Sequence, residues 1–161
     1  TDKIFPPLKD RLTTIDFEAY DEEELSEIVK LCAPEVEIDN DCLVEVASTI
    51  RGNARSAVKR AKEIVLYCGA EEDYSFTLDN FRDLSDKVGI LPHGLTHTEK
   101  QILQFLKKVG EATLTGISAR IGLSKTALQR DHELYLLNKN LMEIDGKRKI
   151  TRFGRQLCEA L

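Results

Sequence analysis

The apolar side chains of this chain recur at helical spacing in a series of short stretches, and switch to strand-like spacing only near the end. After an extended or irregular start through Phe17, "DEEELSEIVKLC" places Leu25, Ile28, Val29 and Cys32 on one face. That i, i+3, i+4, i+7 spacing describes a helix with one side in a core. Asp21 can cap it, with Glu24 at the capping-box position. "DNDCLVEVASTI" repeats the stripe with Leu43, Val46, Ala47 and Ile50. "STIRGNARSAVKRAKEI" does so with Ala54, Ala57, Val58, Ala61, Ile64 and Val65, and predicts a helix from about Ala54 to Cys68, ended by Gly69. Thr77 caps "TLDNFRDLSDKV", which turns Leu78, Phe81, Leu84 and Val88 inward. Four such helices make a small bundle.

In "VGILPHGLTHTEK", Gly89, Pro92 and Gly94 punctuate the pattern as a linker would. Thr98 and Gln101 then form a capping box before Ile102, Phe105, Leu106 and Val109. "TLTGISARIGLSKTALQRDHELYLL" reads as helix, turn, helix: Ile117 and Ile121 pack the first, Gly122 makes the turn and Ser124 caps the second, packed by Leu128, Leu134 and Tyr135. The strand-like runs "LMEI" and "KITR" meet around Asp145-Gly146, a hairpin signal. A helix-turn-helix followed by a hairpin predicts a winged helix, so the chain is expected to be mainly α with two modules.

Composition narrows the function. With 161 residues, 42% hydrophobic and 32% charged, the chain can bury one core or two small ones. No apolar run approaches the roughly 18 residues of a membrane span, and no signal pattern opens the sequence, so a soluble cytoplasmic protein is expected. Cys32, Cys42, Cys68 and Cys158 lie far apart, with no C-x-x-C pair, and no metal site is expected. Cys32, Cys42 and Cys68 fall in or beside apolar stripes and read as buried free thiols. His93, His97 and His132 read as solvated.

The net charge of −5 conceals an asymmetry. Residues 1–93 carry 11 Lys and Arg against 21 Asp and Glu, a balance of −10, whereas residues 94–161 carry 12 against 7, or +5. Only the second half invites nucleic acid. A hairpin tip bearing Lys147, Arg148 and Lys149 can reach phosphates, and Ser124, Lys125, Thr126, Gln129 and Arg130 line the front of the second helix of the pair. Winged helices also serve as protein-contact modules, and that alternative stays open. In the first half Arg55 sits at the positive end of a helix, where the dipole disfavours a cation unless an anion offsets it.

Three segments, in order and spacing, carry a resemblance to the C-terminal portion of the RuvB family, hexameric AAA+ motors that drive branch migration of Holliday junctions. "PLKDRLTTIDFEAYDEEELSEIV" resembles the family's Pro-Leu-Arg-Asp-Arg-Phe element and the helix after it, "RGNAR" its Arg-Gly-Thr-Pro-Arg sensor motif, and "ELYLLNKNLMEIDGKRKIT" its Glu-Pro-Tyr-Leu and basic-wing region. Lys9 and Leu12 depart from the first motif, Asn53-Ala54 from the second, and Glu143 and Asp145 dilute the wing. The resemblance implies the end of an AAA+ large domain over 1–20, a four-helix AAA+ lid over 21–93 and a winged-helix DNA-binding domain over 94–161. It also implies that Arg55 is a sensor-2 residue on the ATP phosphate, against the reading of an unpartnered surface Arg. Arg11 matches an arginine finger directed at the neighbouring subunit, or pairs with Asp10 or Asp16 instead. Lys125, Gln129, Arg130, Lys147, Arg148 and Lys149 would face DNA.

The same resemblance implies ATP and Mg²⁺ for a full-length parent and none held by this piece alone. The partners it implies are duplex or four-way-junction DNA, homo-hexamer neighbours and, as an open question, a RuvA-like protein. No G-x-x-x-x-G-K-[ST] occurs, so this stretch by itself is expected to be inactive. An origin-recognition or clamp-loader-type ATPase, and a non-enzymatic winged-helix regulator, are the alternatives.

Overall fold

The computed structural model describes residues 8, 11–13, 15 and 17–160. Pro7, Lys9, Asp10 and Asp16 of the first sequence motif lie outside the described residues.

Four helices form the first module: α1 (Glu22–Cys32), α2 (Asn40–Ser48), α3 (Ala54–Glu71) and α4 (Leu78–Val88). Reciprocal bonds start α1, with Glu24 N–H on Asp21 Oδ1 at 2.8 Å and Asp21 N–H on Glu24 Oε2 at 3.0 Å, and Thr77 opens α4 with a second capping box completed by Asn80. Leu25, Val29, Leu43, Val46, Ala47, Ala57, Ala61, Ile64, Phe81 and Leu84 fill the core. A two-residue parallel pairing, β1 (Glu37–Ile38) with β2 (Ser75–Phe76), ties two loops together and buries Phe76 edge-on against Tyr67 and Phe81.

Three expectations for this module need correction. Helix α3 runs through Gly69 to Glu71, and Glu72, left-handed at φ 55°, caps it with its N–H on the Cys68 carbonyl. The buried stripe of Ala61, Ile64 and Cys68 carries the helix past a glycine whose interior cost is only about 1 kcal/mol. Cys32 is exposed because it sits in the last turn of α1 with no element over it, and Val88, in the last turn of α4, is also exposed; Cys42 and Cys68 are buried.

The second module contains α5 (His97–Val109), α6 (Leu114–Ile121), α7 (Lys125–Leu128), a π turn (Gln129–Glu133), α8 (Leu134–Asn138) and α9 (Arg152–Ala160). Three strands, β3 (Glu111–Ala112), β4 (Met142–Asp145) and β5 (Lys147–Ile150), lie in the order β3-β5-β4, all antiparallel. This is a winged helix, with Gly122 left-handed at the turn and Ser124 capping α7. Its core of Ile102, Leu103, Leu106, Ile117, Leu128, Leu136, Leu141, Met142 and Ile150 is separate from the first. Ile90 packs on the first core and Leu91 on the second.

Here too the details shift. The capping box of α5 is Thr96 with Glu99, not Thr98 with Gln101. Both pairs satisfy the spacing, and burial of Glu99 selects the first. Leu134 is exposed and Leu136 buried, because the π turn adds a residue to the helical repeat and rotates the helix beyond it.

Candidate functional site

The start of α3 is built by a tight turn. Gly52 takes φ +59°, its carbonyl accepts the Tyr20 N–H at 3.2 Å, and Asn53 caps α3 by accepting the Ser56 N–H at 2.9 Å. The first turn of α3 contains no acid. Arg55 projects from that turn, exposed, and among the described residues nothing bonds or pairs with it. An exposed guanidinium fork at a helix N-terminus, with no acceptor among the described residues, is free to donate to an anionic oxygen. Arg11 is exposed, with its backbone N–H on the Leu8 carbonyl at 3.1 Å, and no described acid pairs with its side chain.

On the winged helix the expected cations are not equivalent. Lys125 and Gln129 are exposed, and Lys125 has no ion-pair partner among the described residues. Arg130, also exposed, is held by the adjacent Asp131 through Nε–Oδ1 at 2.6 Å and Nη2–Oδ2 at 2.8 Å, which holds the aspartate below the usual carboxylate range. The triplet Lys147-Arg148-Lys149 does not form a tip. The turn is at Gly146, and the three residues run down β5, the central strand, where alternation divides them. Lys147 meets Glu111 at 2.5 Å, and Lys149 meets Asp145 at 3.0 Å and Glu111 at 3.9 Å. Arg148 turns to the other face and clasps Glu133, Nε–Oε2 at 2.8 Å and Nη2–Oε1 at 3.2 Å, with 14% and 9% of the two side chains exposed. It is a structural ion pair here, and so a correction to the expectation of three outward cations.

His132 is also not solvated; its Nδ1 lies 3.2 Å from Oε1 of the fully buried Glu99. Glu99 Oε2 accepts from Arg51 Nη2 and from the Thr96 N–H, the latter at 2.8 Å. Nothing local in the sequence marks this cluster, since Arg51 and Glu99 are 48 positions apart. A second feature missed from sequence is a depression of about 350 Å³ between α5 and α6, lined by Gln101, Gln104, Phe105, Lys108, Arg120 and Ile121. Neither Lys108 nor Arg120 has an ion-pair partner among the described residues. Among these residues no group of three His, Cys, Asp or Glu is placed to hold a metal, and no helix is long and apolar enough to cross a membrane.

No family model matches the chain. The Holliday junction branch migration complex subunit RuvB of Fervidobacterium nodosum is 24% identical over 153 residues, covering 89% of this chain and 43% of the relative. The subunit of that name from Bdellovibrio bacteriovorus is 24% identical over 157 residues, covering 93% and 48%. The structure of the Thermotoga maritima RuvB Holliday junction branch migration motor superposes with a TM-score of 0.79 at 23% identity, over 97% of this chain and 55% of that one. The chain thus resembles the C-terminal region of RuvB in sequence and fold, and spans less than half the length of the curated relatives it matches.

Proposed function

We propose that this chain, a counterpart of the C-terminal half of RuvB, is the nucleotide-sensing lid and DNA-contacting winged helix of an ATP-driven motor that moves branched DNA. The observation that carries the reading is Arg55: an exposed arginine without a described partner, on an acid-free first turn, at the position matching the sensor arginine of the family motif. Hydrolysis of ATP supplies the energy in such motors. This chain's own part is to offer a planar donor fork to a phosphate oxygen, and to present a basic winged helix to duplex or four-way-junction DNA. Lys125 and Gln129 are the outward candidates for phosphate contact on the second helix of the helix-turn-helix, and Lys108 and Arg120 supply a second basic surface. Arg11 is the candidate to reach a neighbouring subunit's nucleotide in a homo-hexamer, and a RuvA-like junction binder is the candidate protein partner.

The test uses Arg55→Ala in the full-length parent. Removal of an exposed, unpaired side chain should change stability by no more than about 0.5 kcal/mol. ATP turnover and branch migration should nonetheless fall by at least an order of magnitude. Wild-type hydrolysis in a normally folded variant would remove the sensor assignment. On the 161-residue chain, binding to duplex DNA should be weak, indifferent to sequence and steeply salt-dependent, and Lys125→Ala should flatten the log–log salt slope by about 0.9.

A further inference from the structure

The two hydrophobic cores do not merge, so apolar packing alone does not determine how the lid bundle and the winged helix sit against each other. Polar groups do join them. Arg51, four residues before Arg55, leaves the bundle and places Nη2 on Glu99 Oε2, while its Nε donates to the Gly94 carbonyl at 2.7 Å. Its guanidinium lies 4.0 Å over the Tyr135 ring, and the Tyr135 hydroxyl donates to the His93 carbonyl. Gly94, at φ +64°, approaches so closely that an added Cβ would stand 2.7 Å from the Thr49 carbonyl oxygen. Glu99 receives His132 on its other oxygen, and the next residue, Glu133, holds Arg148 of β5. One line of directional contacts therefore runs from the turn that carries Arg55, through the first turn of α5 and the π turn, to the central strand of the wing.

We propose that Arg51, Glu99 and His132 form a joint that makes lid and winged helix a single rigid body, with Arg51 and Glu99 as positioning residues for the Arg55 turn and the π turn. Hydrogen bonds to charged groups fix angles as well as distances, which apolar contact does not. Without the joint, the segment from Gly89 to Thr96, with two left-handed glycines, is a hinge. The Lys139–Glu22 pair at 3.5 Å, with 35% and 56% of the two side chains exposed, is too wet to substitute. The consequence for a motor rests on the sensor reading of Arg55: displacement of that turn by nucleotide would pass to the wing instead of being absorbed in the linker.

Backbone ¹⁵N relaxation on the 161-residue chain tests the joint without ATP or DNA. In the wild type, amides of both modules should fit one tumbling tensor for an 18.2 kDa body. In Arg51→Met, and separately in Glu99→Gln, each module should keep its own amide pattern but tumble independently and faster, while Glu22→Gln should leave the single tensor intact. Arg51→Met leaves the Thr96–Glu99 capping box in place and decides the matter should Glu99→Gln unfold its module. A folded Arg51→Met chain that still tumbles as one body would overturn the proposal. Failure of Arg55→Ala to alter hydrolysis would instead remove the sensor reading and leave the joint standing.

Discussion

Glu99 and Cys42 are buried side chains in opposite chemical situations: Glu99 has three donors or partners converging on it, whereas Cys42 lies in the apolar core under the influence of two carboxylates, which disfavour its thiolate. Burial pushes the Cys42 thiol up to about 12, helped by Asp39 and Glu45, and raises Cys68 as well. The thiolate is the reactive form, so at neutral pH both should be inert, while the exposed Cys32 should react at once. Titration of the native chain with a chromogenic disulfide should therefore show one fast thiol, the half-buried Cys158 slower, and Cys42 and Cys68 only after denaturant; fast modification of Cys42 would contradict the packing. Cys42 and Cys68 were legible from sequence because a helical stripe identifies a covered face, and Cys32 was misread because periodicity does not say where the cover ends. Arg51, Glu99 and His132 were not legible at all. Each is an ordinary polar residue in its own helix or turn, and only the fold brings positions 51, 99 and 132 to one carboxylate.

Elements show the same division between local rule and tertiary override. The capped helices and the Asp145-Gly146 turn were readable because caps and turns are local chemistry. The π turn was not, and its one-residue slip put Glu133 inside to meet Arg148. Nor was β3, two residues long, whose pairing makes β5 a central strand and brings Glu111 beside Lys147 and Lys149. The Lys147 ammonium holds the Glu111 carboxyl below its usual range. A depressed carboxylate stabilises above its unfolded pKa and stops doing so as pH falls through the lowered value, so this strap loosens only in acid. Glu111→Gln imitates that release at neutral pH. It should leave the fold intact, strengthen DNA binding at low salt, and steepen the salt slope by up to roughly 0.9 for each lysine that then reaches a phosphate. Arg148→Ala should behave differently, costing about 3 kcal/mol by stranding buried Glu133, with a lowered melting temperature as the readout. Equal salt slopes for wild type and Glu111→Gln would mean that the lysines do not face DNA.

At the scale of the whole molecule, the halves differ in charge and in core, yet they share one buried carboxylate. The charge asymmetry and the winged-helix fold were visible in the sequence, because both are sums over many positions; the joint rests on single contacts between distant ones. Its energetic weight can be separated from the stability of either module. Residues 91–160 hold a complete core and should fold alone. In the intact chain Glu99→Gln breaks an ion pair whose carboxylate is fully buried and whose arginine is 29% exposed. Discounting for that exposure, the loss should be on the order of 2 kcal/mol. In the isolated module water replaces Arg51, and glutamine can still accept the Thr96 N–H, so the same substitution should cost well under about 1 kcal/mol. Urea denaturation of both proteins, with and without the substitution, gives four free energies whose double difference is the coupling between modules. A double difference near zero would mean that Arg51 contributes contact but no restraint, and the linker would then be the hinge its glycines resemble. A difference of the expected size would place the mechanical connection between the Arg55 turn and the wing at one carboxylate.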